Sequence, residues 1–120
     1  MKKLIEQLCT TLDNGEDLVL ATVCSQSGST PRVAGARMVV HSDGRLHGTI
    51  GGGLVEATAI RAAADCFQNS RSRCHSFDLS NDDAAVTDMT CGGRMQCCLE
   101  YIPADQHHRE VFGGLQLALP

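Results

Sequence analysis

Residues 37–56, RMVVHSDGRLHGTIGGGLVE, combine two β-prone runs, a short polar turn and a glycine-rich junction. An Asp-Gly pair separates the two runs, and such a pair between β-prone segments is typical of a hairpin turn. The stretch therefore predicts a strand over residues 37–41, a turn at Ser42-Asp43-Gly44 and a returning strand over residues 45–50. Gly51-Gly52-Gly53 follows directly and predicts a sharp turn from this hairpin into a helix.

Further strands and helices are predicted on both sides of the hairpin. Apolar residues recur at helical or strand spacing, and the predicted elements are helices over residues 2–14 and 54–68, strands over residues 18–23, 74–79 and 96–102, and a third helix after Pro103 that Gly113-Gly114 interrupts. Residues 18–23 show no polar alternation, which predicts a strand buried on both faces in the middle of the sheet. The second helix is expected to turn Ala57, Ile60, Ala64 and Phe67 toward the core. These elements predict an α+β fold, with a mixed sheet of about five strands and two main helices packed on it.

The last predicted strand alternates cleanly between apolar and polar side chains. Its two predicted faces are Met95, Cys97, Leu99 and Tyr101 on one side, and Gln96, Cys98 and Glu100 on the other. The neighbouring residues Cys97 and Cys98 therefore point to opposite faces and cannot form a ligand pair by themselves.

Composition and charge limit the class of protein. The 120 residues are 42% hydrophobic and 20% charged, which is enough apolar material for one folded domain and argues against disorder. The formal net charge of −4 argues against a nucleic-acid binder, and no apolar run of membrane length occurs. Arginines nevertheless concentrate between Gly28 and Gly53, at Arg32, Arg37 and Arg45, which favours a local anion site.

The seven cysteines are expected to be reduced thiols of a cytoplasmic protein. The amino terminus lacks a secretory signal, and the cysteine spacing gives neither a Cys-x-x-Cys pair nor a Cys/His quartet of zinc type. Most of the seven are expected to pack as small core residues.

Gly51-Gly52-Gly53, at the start of the second helix, is the first candidate site. Backbone N–H groups at the positive end of a helix dipole bind phosphate and other anions, and glycine allows close approach. A tight turn that binds nothing carries about equal weight. Glu56, in the first helical turn, either complements the helix dipole or accepts hydrogen bonds from a pterin-like ring, and the first role is favoured.

Residues 28–37 form the second candidate site. Ser29, Arg32 and Arg37 place a hydroxyl and two guanidinium groups in a loop that Pro31 constrains. Guanidinium groups grip phosphate or carboxylate through paired hydrogen bonds. For an isolated loop, a solvated segment with surface arginines is the more common alternative.

Cys91 marks the third candidate site, because Gly92-Gly93 and Arg94 follow it. A flexible backbone and a nearby cation favour a reactive thiolate, a persulfide carrier or a soft-metal ligand. A small residue that merely fills a turn is an equally weighted alternative.

These segments, in this order, resemble the amino-terminal domain of the XdhC/CoxI family over about residues 4–102. The motifs that resemble the family are Leu20-Ala21-Thr22-Val23, Gly28-Ser29-Thr30-Pro31-Arg32 with Gly35-Ala36-Arg37-Met38, Asp43-Gly44-Arg45, Gly51-Gly52-Gly53 with Val55-Glu56, and Cys91-Gly92-Gly93. Each motif alone is weak, but five in register are difficult to explain otherwise.

The resemblance implies a cytoplasmic accessory protein rather than an enzyme. Family members bind molybdenum cofactor (molybdopterin) transiently, support its sulfuration together with a cysteine desulfurase, and deliver it to an apo-molybdenum hydroxylase of the xanthine dehydrogenase type. They are usually dimers. If the chain is such a protein, Gly51–Gly53 would bind the anionic groups of the cofactor together with Arg32 or Arg37, and these two arginines are assigned by their chemistry rather than by the resemblance. Ser29, Glu56, Gly92 and Gly93 would also contact the cofactor, and Cys91 would approach the metal or transfer sulfur.

The resemblance also divides the chain. Residues 1–103 correspond to the XdhC/CoxI-type domain, and residues 104–120 are expected to be a connector or the start of a helix in a longer chain. Two other classes remain open: a thiol-dependent enzyme that acts on a phosphorylated small molecule through Cys91, and a protein-interaction module that ignores the cofactor.

Overall fold

The computed structural model describes residues 2–27, 35–51, 53–78 and 94–119. Three helices and five strands follow one another along the chain: α1 (Lys2–Asp13), β1 (Leu18–Ser27), β2 (Arg37–His41), β3 (Leu46–Gly48), α2 (Gly53–Asn69), β4 (Arg73–Asp78), β5 (Arg94–Ile102) and α3 (Gln106–Ala118). The predicted α+β class is confirmed, and each predicted element corresponds to an observed one.

The five strands form one sheet in the order β3-β2-β1-β5-β4. Every observed pairing is antiparallel, so the prediction of a mixed sheet was wrong. The reason is the position of β5. Strands β1 and β4 run in the same direction, but β5 lies between them and runs opposite to both, which makes each neighbour antiparallel. Strand β1 is central, as predicted.

The β2–β3 hairpin is confirmed around its Asp-Gly turn. Met38 pairs with Gly48 and Val40 with Leu46, so the returning strand is shorter than predicted. The Asp43 carboxylate accepts hydrogen bonds from the backbone N–H of Arg45 (3.0 Å) and from its Nε (2.7 Å). These two bonds, the backbone one first, lower the pKa of Asp43 and fix the turn.

Helices cover both faces of the sheet. One face packs on α2 and includes Val19, Ala21, Met38 and Leu99. On the other face, Leu18 and Val39 of the sheet pack with Leu8 of α1, and Phe112 of α3 packs against the same cluster. Residues 18–21 of β1 are therefore buried on both faces of the sheet, which accounts for the unbroken apolar sequence there.

The buried face of α2 differs from the predicted stripe. Ala57 and Ala64 are exposed, and Ile60 and Phe67 lie only at the border of the core. The residues that the helix buries are Val55, Ala59, Ala62, Ala63 and Cys66. Small side chains on this face let the helix lie close to the sheet. Five alanines are distributed around α2, so apolar spacing alone does not determine which of them faces the sheet.

Helix α3 is continuous through Gly113 and Gly114, so the predicted interruption was wrong. Asp105 caps its first turn by accepting from the backbone N–H of His108 (2.8 Å). Asp17 accepts from the Tyr101 hydroxyl (2.6 Å) and from the Ala104 N–H (2.9 Å), which fixes the chain just before the helix. Tertiary contacts therefore outweigh the low helix propensity of two glycines.

Candidate functional site

The three glycine-rich segments belong to the three connections at one end of the sheet, which is called the upper end below. Strands β1, β3 and β4 finish at this end, and β2 and β5 begin there. Residues just before or after two of the connections are directly paired, because Arg94 lies opposite both Ser27 and Asp78. The connection from β3 to α2 leaves from Gly48, which lies opposite Met38 in β2. The topology thus brings together the described residues that flank these segments, which are far apart in sequence.

Several predicted site residues lie outside the described part of the chain: Ser29, Arg32, Gly52, Cys91, Gly92 and Gly93. The described candidates are Arg37 at the start of β2, Gly51 and Gly53 between β3 and α2, and Glu56 in the first turn of α2.

A hydrogen-bond network stabilises the turn into α2. The Thr49 hydroxyl donates to a carboxylate oxygen of Glu56, and Thr49 Oγ1 accepts from the Gly51 N–H at 3.2 Å. Gly51 has φ 147° and Gly53 has φ 51°, which glycine adopts without the strain that a side chain would add. Glu56 therefore has a structural role in this turn, and the Gly51 N–H is already used within the chain.

Gly48 brings β3 into close contact with β2. Its φ is 84°, and a Cβ built on it would lie 2.7 Å from the Arg37 carbonyl oxygen. Any side chain at residue 48 would therefore displace the strand that presents Arg37.

A cavity of about 530 Å³ opens beside Arg37, between the first turns of α1 and the β2–β3 pair. Its lining residues are Lys3, Leu4, Gln7, Gly35, Arg37, His47 and Gly48. The volume is that of a small-molecule site, and two basic side chains, Lys3 and Arg37, line it. Gly51 and Gly53 are not among these lining residues, so the cavity joins Arg37 to Gly48 rather than to the glycine turn.

Arg37 is exposed, and its Nη1 donates to the Gly35 carbonyl oxygen at 3.3 Å. Arg37 also lies in one cross-strand row with Thr22, Cys98 and Cys74 on β1, β5 and β4. The row lies on the face of the sheet that packs on α1, because Val19, Ala21 and Val23 of β1 point toward α2.

Two histidines of the hairpin contact each other across β2 and β3. The rings of His41 and His47 meet edge to face with centroids 4.9 Å apart. His41 is buried, and neither ring nitrogen has a hydrogen-bond partner among the described residues. Burial, followed by the charges of His47 and Arg45, lowers the pKa of His41. Within the described ranges, no cluster of three His, Cys, Asp or Glu residues is arranged to bind a metal ion.

The described cysteines fall into two groups. Cys9, Cys66 and Cys97 are buried free thiols, and burial raises the pKa of each, that of Cys97 to about 11. Cys24 and Cys98 form a disulfide, so the prediction that all thiols are reduced was wrong for this pair. The sulfur of the exposed Cys74 lies 3.8 Å from that of Cys98. Strand pairing between distant segments brings the three together, and no local spacing could indicate it.

Two residues of this end were missed by sequence reasoning, Thr49 and Lys3. Thr49 lies just before Ile50 and the three glycines. A hydroxyl there and the Glu56 carboxylate seven residues later could have suggested the cap-like hydrogen bond at the start of α2. Nothing in the sequence around Lys3 indicates that it lines the cavity, because its position there depends on how α1 packs on the sheet.

Among the described helices, none combines the length and apolar character needed to cross a bilayer.

Comparison with known proteins gives a family and several similar chains. The XdhC and CoxI family model matches residues 11–78. The uncharacterized protein YqeB of Escherichia coli K12 is 34% identical over 93 residues, which cover 78% of this chain and 16% of YqeB. The molybdenum cofactor insertion chaperone PaoD of the same organism is 40% identical over 109 residues, which cover 91% of this chain and 34% of PaoD.

A similar solved structure has the same fold. The crystal structure of a xanthine dehydrogenase from Bacillus halodurans superposes with a TM-score of 0.79 and 28% sequence identity, over 96% of this chain and 34% of that one. The chain therefore spans about a sixth to a third of the length of these proteins.

Proposed function

Because the chain belongs to the XdhC and CoxI family, we propose that it binds molybdenum cofactor at the upper end of the sheet and helps to insert it into a molybdenum hydroxylase. The observation that supports this most directly is that four residues flanking the three predicted site segments, namely Ser27, Gly48, Asp78 and Arg94, all lie at this end of the sheet. PaoD, a molybdenum cofactor insertion chaperone, matches 91% of the chain, which supports the same role.

The described residues are chemically suited to this anionic cargo. Molybdopterin bears a phosphate and a dithiolene that holds the metal. Arg37 and Lys3 line a cavity of suitable volume, and a guanidinium can grip a phosphate through two hydrogen bonds. Glu56, whose carboxylate accepts from the Thr49 hydroxyl within the turn, would accept from the N–H groups of a pterin ring in addition.

The remaining roles go to residues that the sequence singles out. Ser29 and Arg32 assist Arg37 with the anionic groups. Gly51 and Gly53 do not line the cavity at Arg37, so the backbone of Gly51 to Gly53 would bind a part of the cofactor that extends beyond this cavity. Cys91, with Gly92 and Gly93 after it, approaches the metal or transfers sulfur, and the cargo is held only transiently. The partners are an apo-hydroxylase of the xanthine dehydrogenase type and a cysteine desulfurase, in the cytoplasm.

A cofactor analysis of the purified chain tests the binding step. The wild-type protein, produced in cells that make the cofactor, is expected to contain molybdenum and a pterin that fluoresces after oxidation. Arg37→Ala should lower both about tenfold or more, because a charge-assisted bidentate contact is lost. Arg61→Ala is the matched control, since Arg61 is an exposed arginine on α2. Wild-type protein without pterin, or equal losses in both variants, would refute the proposal.

Cys91→Ser tests the sulfur role separately. Serine keeps the size of the side chain but cannot provide a thiolate, so activation of apo-hydroxylase should be abolished while the circular dichroism spectrum is unchanged. Full activation by Cys91→Ala would remove Cys91 from the proposal and leave the binding step standing.

We further propose that the chain is a homodimer formed through α3. No residue of this helix is fully buried, and Val111, Leu115 and Leu117 are 51%, 43% and 89% exposed. Apolar surface of this kind commonly marks a protein interface. Light scattering at micromolar concentration should give twice the chain mass for the wild type and the chain mass for Leu115→Glu; a monomeric wild type contradicts the dimer.

A further inference from the structure

We propose that Cys24, Cys74 and Cys98 form a thiol–disulfide exchange site on the sheet, in which Cys98 alternates between Cys24 and Cys74 as its disulfide partner. The observation is a disulfide between Cys24 and Cys98 with a third sulfur, that of Cys74, 3.8 Å from Cys98. Nothing in the proposed cofactor role requires or explains this arrangement.

The sheet register places Cys98 between the other two cysteines. Cys74 of β4 lies directly opposite Cys98 of β5. On the other side, β1 shifts its register against β5 between Val23 and Ser25, which leaves Cys24 as the extra residue of a bulge. The Cα atoms of Cys24 and Cys98 are 6.3 Å apart, within the usual range for a disulfide. Bulges commonly redirect a side chain, and this one turns Cys24 toward Cys98.

The crosslink is not needed to hold the two strands together. Strands β1 and β5 already pair over nine residues, so the disulfide joins positions that the sheet has fixed. Cys24 and Cys74 are exposed and Cys98 is half-buried, which leaves the sulfur atoms open to solvent and to other thiols. Accessible disulfides with a neighbouring free thiol are the ones that exchange.

The exchange step is balanced without an external oxidant or reductant. The Cys74 thiolate attacks Sγ of Cys98, a Cys74–Cys98 bond forms, and the Cys24–Cys98 bond breaks. Cys24 leaves with the electron pair, and the proton lost by Cys74 is taken up by Cys24. The net result moves the free thiol from edge strand β4 to central strand β1, three residues before β1 ends at Ser27 on the upper end.

The site therefore takes thiols and disulfides as its reaction partners. An external thiol can open the Cys24–Cys98 bond, and the resulting mixed disulfide can be resolved by the nearest remaining thiol of the three. The other described cysteines are excluded from this chemistry, since Cys9, Cys66 and Cys97 are buried.

Disulfide mapping tests the exchange on the purified chain without any cofactor, so its failure leaves the proposed function untouched. The protein is equilibrated in mixtures of reduced and oxidised glutathione, quenched with acid and alkylated. The disulfides are then assigned by tandem mass spectrometry. The wild type is expected to contain both Cys24–Cys98 and Cys74–Cys98, and Cys24→Ser only Cys74–Cys98.

The matched controls are Cys74→Ser, which should contain only Cys24–Cys98, and Cys66→Ser, which should match the wild type. Circular dichroism verifies that each variant is folded. A wild type that never contains the Cys74–Cys98 link overturns the proposal. So does a folded Cys24→Ser variant in which Cys74 and Cys98 stay reduced, or pair with Cys91 instead.

Discussion

At the scale of single residues, two positions of the hairpin are constrained in different ways: Gly48 leaves no room for a side chain, and His41 is buried without hydrogen-bond partners among the described residues. Gly48 needs the absence of a side chain, because the Arg37 carbonyl oxygen occupies the place of its Cβ. His41 has a polar side chain that its surroundings do not use, because both ring nitrogens lack a partner among the described residues. Both residues lie in the strands of the β2–β3 hairpin, and Gly48 is the one that affects how Arg37 is presented.

Gly48→Ala is expected to lower the free energy of unfolding by about 2–4 kcal/mol, through the positive φ and the backbone contact together. Urea denaturation followed by circular dichroism measures the effect. The matched control is Gly113→Ala, where a Cβ meets nothing within 4 Å and α3 should gain up to about 1 kcal/mol in helix propensity. Equal effects at the two positions would contradict the close contact.

His41 should make stability depend on pH. Its folded pKa lies below the ordinary value of about 6.5, first because of burial and then because of His47 and Arg45. The unfolded chain therefore takes up a proton at higher pH than the folded chain does. Stability is fully present above about pH 6.5 and is lost as the pH falls through the folded pKa.

His41→Leu removes this titration and two unpaired nitrogens, so stability at pH 7.5 should be kept or raised. The loss of stability between pH 7.5 and 5.5, measured by urea denaturation, should become smaller. Some loss will remain, because burial and then Arg73 also lower the pKa of His75. The control is His107→Gln on the exposed side of α3. An unchanged pH dependence in His41→Leu would show that His41 is not responsible.

At the scale of elements, α3 depends on the segment before it. Asp17 lies between α1 and β1, yet its carboxylate contacts Tyr101 and Ala104 at the other end of the chain. The hydrogen bond to Asp17 is the largest cause of the raised pKa of Tyr101, because the carboxylate accepts from the hydroxyl and so stabilises its protonated form. This contact joins the first and last parts of the described chain.

Asp17→Ala should lower the free energy of unfolding by about 1–3 kcal/mol, since it leaves a half-buried hydroxyl and a backbone N–H without their acceptor. Hydrogen exchange should rise first in α3, which the contact fixes in place. Asp13→Ala, at the exposed end of α1, serves as control and should change neither quantity. Faster exchange spread evenly over the sheet, rather than in α3, would argue against this role.

The sequence predicted those elements correctly whose conformation depends on neighbouring residues along the chain. The Asp-Gly hairpin, the buried central strand and the alternation that separates Cys97 from Cys98 were all predicted. The predicted α2 stripe and the predicted break in α3 were both wrong. Alanines form the buried face of α2, and packing on α1 offsets two glycines in α3, so local preference was overruled by tertiary contact.

At the scale of the whole molecule, sequence motifs identified the segments of the candidate site but not their arrangement. That arrangement follows from the insertion of β5 between β1 and β4, which brings Arg94 beside Ser27 and Asp78. No spacing within the chain indicates this insertion. The cavity at Arg37 and the three-cysteine site could not be predicted from the sequence for the same reason, because each combines residues from elements that are distant in sequence.

The insertion of β5 also has a consequence for how the chain folds. Strand β1 can pair with β2 as soon as the first 41 residues exist. Its other neighbour, β5, is complete only at Ile102, the residue that pairs with Leu18. During synthesis, the apolar central strand β1 therefore has one open edge until β5 is made. Long-range pairing of this kind slows folding and exposes the edge to other chains. Nascent chains of this protein are thus expected to need protection from aggregation until β5 has emerged from the ribosome.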